Sequence, residues 1–185
     1  MGARALPLRR LEAGLVLAAC GQDRRGLRDA ALITVMREGM LRAIEAAALV
    51  WRDVQQATAD DHAAVIAIRR SKTNTRGTRA EAVTISTVAL YRLDAWRPHA
   101  PAESVFGLSP RSVANVVAAA CARAGVEGMS GHSCRRGMAQ DLAAAGVSAA
   151  VIQARGRWAS LDSAQRYIAE IGGELGRPVP DAVIV

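Results

Sequence analysis

The chain has 185 residues, enough for one ordinary domain with a real core, and is 51% hydrophobic without an apolar run long enough to span a bilayer. Its net charge is +7, and of its 24 basic residues only Lys72 is a lysine. That balance favours a polyanionic partner and suits the bidentate phosphate contacts that arginine makes. Three cysteines (Cys20, Cys121 and Cys134) at unrelated spacings suggest neither a disulfide framework nor a zinc site, and no secretory leader is evident in the first ten residues. The expectation is a reducing, cytoplasmic setting.

Taken in chain order, residues 8–20 predict a first amphipathic helix closed by Gly21. Residues 23–28 read as a charged turn, and the spacing of Leu27, Ala31, Leu32, Val35 and Met36 predicts a second helix that Gly39 closes. A third helix begins near Leu41 and carries Arg42 and Glu45 three positions apart, where a carboxylate can orient a guanidinium. Any Arg/Glu pair is first of all a surface ion pair. The apolar neighbours Ile44, Ala46, Ala47, Ala48 and Leu49 argue for partial burial of this one.

Trp51-Arg52-Asp53-Val54 starts extended structure, and residues 63–68 and 82–85 are β-branched runs. They predict a three-stranded antiparallel sheet whose last two strands are joined by a basic connection containing Lys72. A loop lysine is ordinarily just solvated. Here arginine fills every other basic position, and an ammonium gives up a proton far more readily than a guanidinium. Residues 87–96 form a helix, 97–101 a loop and 105–108 a short extended piece. Ser109 caps a helix with Pro110 at its first position, running to about Ala124 and stopping at Gly125. His62 and His99 stand alone as surface residues with no second ligand spaced for a metal. A helix over about 135–145 follows, with His132 and Arg135 at its N-terminus, where unpaired N–H groups favour an anion. Gly146 ends it, Ser148 caps another through Arg155, residues 156–158 make a tight turn, and a last helix over about 160–171 carries Tyr167. Tyr91 fits a partly buried packing aromatic better than a reactive one. The apolar tail after Gly172-Gly173 is expected to dock on its own domain or on a neighbour.

Five pieces stand in a telling order: Leu41-Arg42-Ala43-Ile44-Glu45, Gly131-His132-Ser133-Cys134-Arg135, Ala145-Gly146-Val147-Ser148, Gly156-Arg157-Trp158 and Tyr167-Ile168. Together they resemble the catalytic domain of the tyrosine recombinases, the phage integrase family, over nearly the whole chain. The resemblance implies the DNA breaking-rejoining enzyme fold, mainly α with a small three-stranded antiparallel β-sheet. It implies one catalytic domain over 1–185, with 168–185 a tail able to exchange between subunits, and without the separate N-terminal core-binding domain usual in the family.

The resemblance also implies roles. Tyr167 is the nucleophile that becomes joined to a 3′ phosphate. Arg42 and Arg135 hold the non-bridging oxygens, His132 handles a proton or hydrogen bond, and Lys72 protonates the departing 5′ oxygen. Trp158, where the family more often has histidine, gives its indole N–H, and Glu45 orients Arg42. Arg69, Arg70, Arg76 and Arg136 are the expected DNA-backbone contacts. No metal or other cofactor is implied. The implied partner is double-stranded DNA, with a homo-tetramer on synapsed sites and a monomer without DNA. A bacterial or phage-encoded, nucleoid-associated protein is expected. Two other readings share the fold: a monomeric cleavage and religation enzyme like a type IB topoisomerase, and a DNA-binding remnant without chemistry. An intact set of polar site residues argues against the remnant.

Overall fold

The computed structural model describes residues 5–56, 64–69, 81–162, 164–166, 168 and 169. Among the described residues the named helices are α1 (Arg10–Ala18), α2 (Arg24–Glu38), α3 (Ala43–Ala47), α4 (Thr87–Trp96), α5 (Pro110–Arg123), α6 (Ser133–Ala144) and α7 (Ala149–Gly156). The strands among the described residues are β1 (Val54–Gln56), β2 (Ala64–Ile68) and β3 (Glu81–Ile85). The described residues between 161 and 169 are also helical. Among the described residues no helix is long and apolar enough to cross a membrane.

α2 is the centre. Asp23 accepts a hydrogen bond from the Gly26 N–H at 2.7 Å, so the stretch expected as a charged turn is instead the cap and first turn of this helix. Residues 29–36 are all buried, with α4, α5 and α6 packed around them. A helix enclosed in this way has no polar face to spare. Its one buried carboxylate, Asp29, is met by Arg28 at 2.8 Å and Arg123 at 2.7 Å, which keeps the charge from standing alone. The chain leaves α2 in an unexpected way. Gly39 is right-handed (φ −77°), and the left-handed residue is Met40 (φ 48°). Met40 is fully buried beside Ala139 and Ile152, and that packing holds a conformation a methionine would otherwise avoid.

The sheet has the expected order, β1-β2-β3, antiparallel throughout. Ala64, Ile66 and Ile68 alternate inward and meet Val83 and Ile85 from β3 in the main core. Trp51–Asp53 is a 3-10 turn rather than extended, so β1 starts only at Val54. Within that turn Asp53 is 2% exposed and takes Arg69 Nε at 2.5 Å. Residues 97–99 likewise close as a 3-10 turn after α4. Tyr91 is 76% exposed on α4, so it is not the packed aromatic the sequence suggested; Leu93 and Ala89 take the inward positions of that helix instead.

The segment before α1 crosses α6. Leu8 N–H donates to the Ser133 carbonyl at 2.9 Å, and the Leu8 carbonyl occupies the space that a Cβ on Gly137 would need. All three cysteines are free and buried. Burial pushes the Cys121 thiol up to about 11 and Cys134 up to about 12. A second, smaller apolar cluster joins Met40, Ala139 and Ile152 with Leu142, Val147, Trp158 and Ile168. Arg42, Glu45, Arg135 and Trp158 collect along the seam between this cluster and the end of α2.

Candidate active site

The C-terminal end of any α-helix leaves carbonyls without intrahelical partners, at the negative end of the helix dipole. At the end of α2 these carbonyls gather arginines. Arg155 donates to the Glu38 carbonyl (3.3 Å) and Arg157 to the Gly39 carbonyl (3.0 Å). The Met40 carbonyl receives both Arg135 Nη1 (2.6 Å) and Arg157 Nη2 (3.3 Å). Three side chains far along the chain are thereby drawn to the turn that leads into Arg42.

Arg42 is extended (φ −80°, ψ 157°) and caps α3 rather than lying inside it, a correction to the expected helix start near Leu41. Glu45, in the first turn of α3, reaches back to accept the Arg42 backbone N–H at 2.9 Å and its guanidinium Nη1 at 2.6 Å. The other carboxylate contact of Glu45 is Arg157 Nη2 at 2.6 Å. The Glu45 side chain is inaccessible to water, whereas Arg42 keeps 21% of its side chain open. Burial by itself would raise the Glu45 pKa. The Arg157 guanidinium, and then the Arg42 N–H groups and charge, outweigh burial and hold the carboxyl below its ordinary value. The pair expected from the L-R-x-x-E spacing is thus real, half-buried and larger by one arginine.

Arg135 lies near the start of α6 and is 4% exposed. Besides the Met40 carbonyl, it donates through Nη2 to the Gly156 carbonyl, and the Trp158 ring covers its guanidinium at 4.4 Å. Gly156 is required here: a Cβ would run into the six-membered edge of the Trp158 indole. The turn after α7 therefore folds the indole back over the helix end and onto Arg135.

The structure brings together Arg42, Glu45, Arg135 and Trp158. His132 is the exposed N-cap residue of α6, on the turn before Arg135. Lys72, Arg70, Arg76, Tyr167 and His62 lie outside the described residues. Arg69 stands at the end of β2 with 52% of its side chain open, paired to Asp53. Arg136, expected as a DNA-backbone contact, follows Arg135 on α6 and is 6% exposed. Among the described residues no cluster of three or more His, Cys, Asp or Glu could hold a metal.

Sequence reading missed Arg157. It is left-handed (φ 54°, ψ 44°), its side chain is 7% exposed, and Nε faces Glu81 Oε2 at 3.4 Å as an ion pair. Local sequence marks it only as a charged turn residue, because its carboxylate partner Glu45 is 112 positions away. Arg42 and Arg157 share the buried Glu45 carboxylate, Arg135 and Arg155 are held on neighbouring carbonyls, and the assembly is net positive. Arg42 keeps part of its side chain open to solvent. Such a site can bind a phosphodiester and stabilise added negative charge on it.

The fold has solved counterparts. A XerA recombinase structure superposes with TM-score 0.72 at 16% identity, covering 97% of this chain and 67% of that one. A post-cleavage complex of XerH site-specific recombinase with difH substrate superposes with TM-score 0.74 at 19% identity, covering 92% and 51%. A lambda integrase dimer on a COC′ core site gives TM-score 0.68 at 16% identity, covering 97% and 51%. At these identities the likeness is one of fold. The chain spans two thirds of the XerA chain and about half of the other two. A search of curated protein sequences finds no match. The Phage integrase family model matches residues 8–171, nearly the whole chain, and the chain belongs to that family.

Proposed function

We propose that this chain is the catalytic domain of a site-specific DNA recombinase or integrase, which cleaves and rejoins DNA through a 3′-phosphotyrosyl intermediate. The observation that carries the reading is the convergence of Arg42 and Arg135, from distant parts of the sequence, on the Met40 turn with Trp158 closing over Arg135. The solved neighbours XerH and lambda integrase were captured on DNA, which supports duplex DNA as the partner here.

The chemistry follows from charge. A tyrosine hydroxyl, with an ordinary pKa of about 10, attacks a phosphodiester poorly while the phosphate keeps its negative charge. Guanidiniums on the non-bridging oxygens neutralise that charge and stabilise the crowded transition state. Arg42 and Arg135 supply them, with Glu45 fixing Arg42. The Trp158 indole N–H adds a donor and its ring walls the site; tryptophan here is the Cre-like variant of the family position. His132, at the exposed start of α6, handles the proton of the attacking hydroxyl. Tyr167 forms the bond to the 3′ phosphate, and Lys72 gives its proton to the 5′ oxygen as the bond to phosphorus breaks. Attack by the freed 5′ hydroxyl reverses the step. The phosphodiester energy is kept in the tyrosyl ester, so no high-energy cofactor is needed. A homo-tetramer on synapsed sites would exchange strands between duplexes.

Covalent trapping tests this. The protein is incubated with a pool of nicked duplexes at low salt, denatured, and examined for a protein–DNA adduct beside Tyr167→Phe. The expected result is an adduct with wild type, none with the variant, and nearly equal DNA binding by both. An adduct that persists in Tyr167→Phe removes the nucleophile assignment. Binding without any adduct favours the DNA-binding remnant.

A further inference from the structure

We infer that Arg157 is a positioning residue for the strand-transfer site, an inference that rests on the function proposed above. A guanidinium has five N–H donors. In Arg157 four are given to protein acceptors: Nη1 to the carbonyls of Gly39 (3.0 Å) and Arg155 (3.3 Å), Nη2 to Glu45 Oε2 (2.6 Å) and the Met40 carbonyl (3.3 Å). The fifth, Nε, faces Glu81 Oε2 at 3.4 Å. With 7% of the side chain exposed and four donors given to protein acceptors, Arg157 is anchored inside the site by contacts to the protein itself.

Those contacts hold groups that the proposed function places on the phosphate. Through Glu45 it fixes the carboxylate that orients Arg42, and its own carbonyl accepts Arg42 Nη2 at 3.5 Å. Through Met40 it shares an acceptor with Arg135. Its backbone is the link between Gly156, whose carbonyl binds Arg135, and Trp158, whose ring covers Arg135. Glu81 opens β3, immediately after the connection that contains Lys72. The other end of that connection is held as well, by the Asp53–Arg69 pair at 2.5 Å. A non-glycine residue in the left-handed region is strained, and such strain persists where surrounding contacts over-determine it. Here the contacts are those just named.

The test compares wild type with Arg157→Gly and Arg157→Lys in two measurements. Glycine is at home at this φ, so the variant relieves backbone strain while deleting every side-chain contact. The first measurement is the single-turnover rate of adduct formation at saturating nicked duplex. The expected loss in Arg157→Gly is on the order of 10- to 100-fold with DNA affinity nearly unchanged, as for loss of a group that orients reacting groups. Arg157→Lys, which keeps the charge but not the fork, should recover part of it. The second measurement is fluorine NMR of 5-fluorotryptophan protein, with the Trp158 resonance assigned by Trp158→Phe. In Arg157→Gly that resonance should shift and broaden, and those of Trp51 and Trp96 should stay.

A wild-type adduct rate in Arg157→Gly, an unmoved Trp158 resonance, or movement of all three resonances each overturns the inference. If wild type itself forms no adduct, the proposed function fails, and the Trp158 resonance still decides whether Arg157 holds the turn.

Discussion

Glu45 is the residue on which the site's electrostatics turn. Its side chain has no access to water, and a lone buried carboxylate would be costly. Arg157 at 2.6 Å and Arg42 at 2.6 Å make it tolerable and hold its pKa down. The consequence for stability has a definite sign. A depressed carboxylate pKa stabilises the fold above the unfolded value and ceases to do so as pH falls through the folded value. Removing the charge by Glu45→Gln leaves Arg42 without its counter-charge and Arg157 with only the more exposed Glu81, a loss on the order of 3 kcal/mol at neutral pH. Denaturant unfolding at a series of pH values should show that gap constant at neutral pH, then narrowing below the ordinary glutamate value of 4.5. A gap that stays constant down to acid pH would mean that the charge of Glu45 is not what holds the cluster. Much of this residue was legible in sequence: an arginine and a glutamate three apart in an apolar stretch. Its second arginine was not, because nothing near Glu45 in the chain announces a partner at position 157.

At the scale of elements, two helix ends decide the geometry. The end of α2 offers the carbonyls of residues 38–40, and the last turn and cap of α7 bring Arg155 and Arg157 to them. Between them, α6 carries Arg135 to the same place, so its seat against the N-terminal segment matters. That seat is Gly137, under the Leu8 carbonyl. Gly137→Ala gains helix propensity of about 1 kcal/mol and yet should destabilise the protein. The added methyl forces the segment around Leu8 off α6 and breaks its 2.9 Å bond to Ser133. A net loss of about 1–3 kcal/mol is expected from such overpacking, read as a lowered unfolding midpoint. A raised midpoint would show that the crossing yields without cost. Helix positions were mostly readable from apolar spacing and caps; Ser86, Ser109 and Ser148 each accept from the backbone N–H three residues on, as such caps do. Asp23 and the 3-10 turn at Trp51–Asp53 were misread because polar residues near a boundary look alike until a cap or a buried pair is formed.

For the molecule as a whole, the charge of +7 is expected to govern how it meets DNA. Each phosphate neutralised by an arginine releases counterions, so affinity falls steeply with salt. Binding to a random duplex should weaken at least on the order of tenfold between roughly 50 and 200 mM salt, measured by fluorescence anisotropy. An affinity indifferent to salt would contradict a phosphate-tracking surface.

The sequence by itself determined the family, the all but helical architecture with its three-stranded sheet, and the identities of Arg42, Glu45, Arg135 and Trp158 as a candidate set. These depend on local spacing, on side-chain chemistry and on motif order, all of which are written along the chain. Only the tertiary structure decided that Arg135 sits beneath an indole, that Arg136 is buried, that Tyr91 faces water, and that Arg157 joins Glu45 to the end of α2. Those outcomes depend on which distant surfaces pack together, and one guanidinium looks like another until burial and a fixed set of acceptors tell them apart.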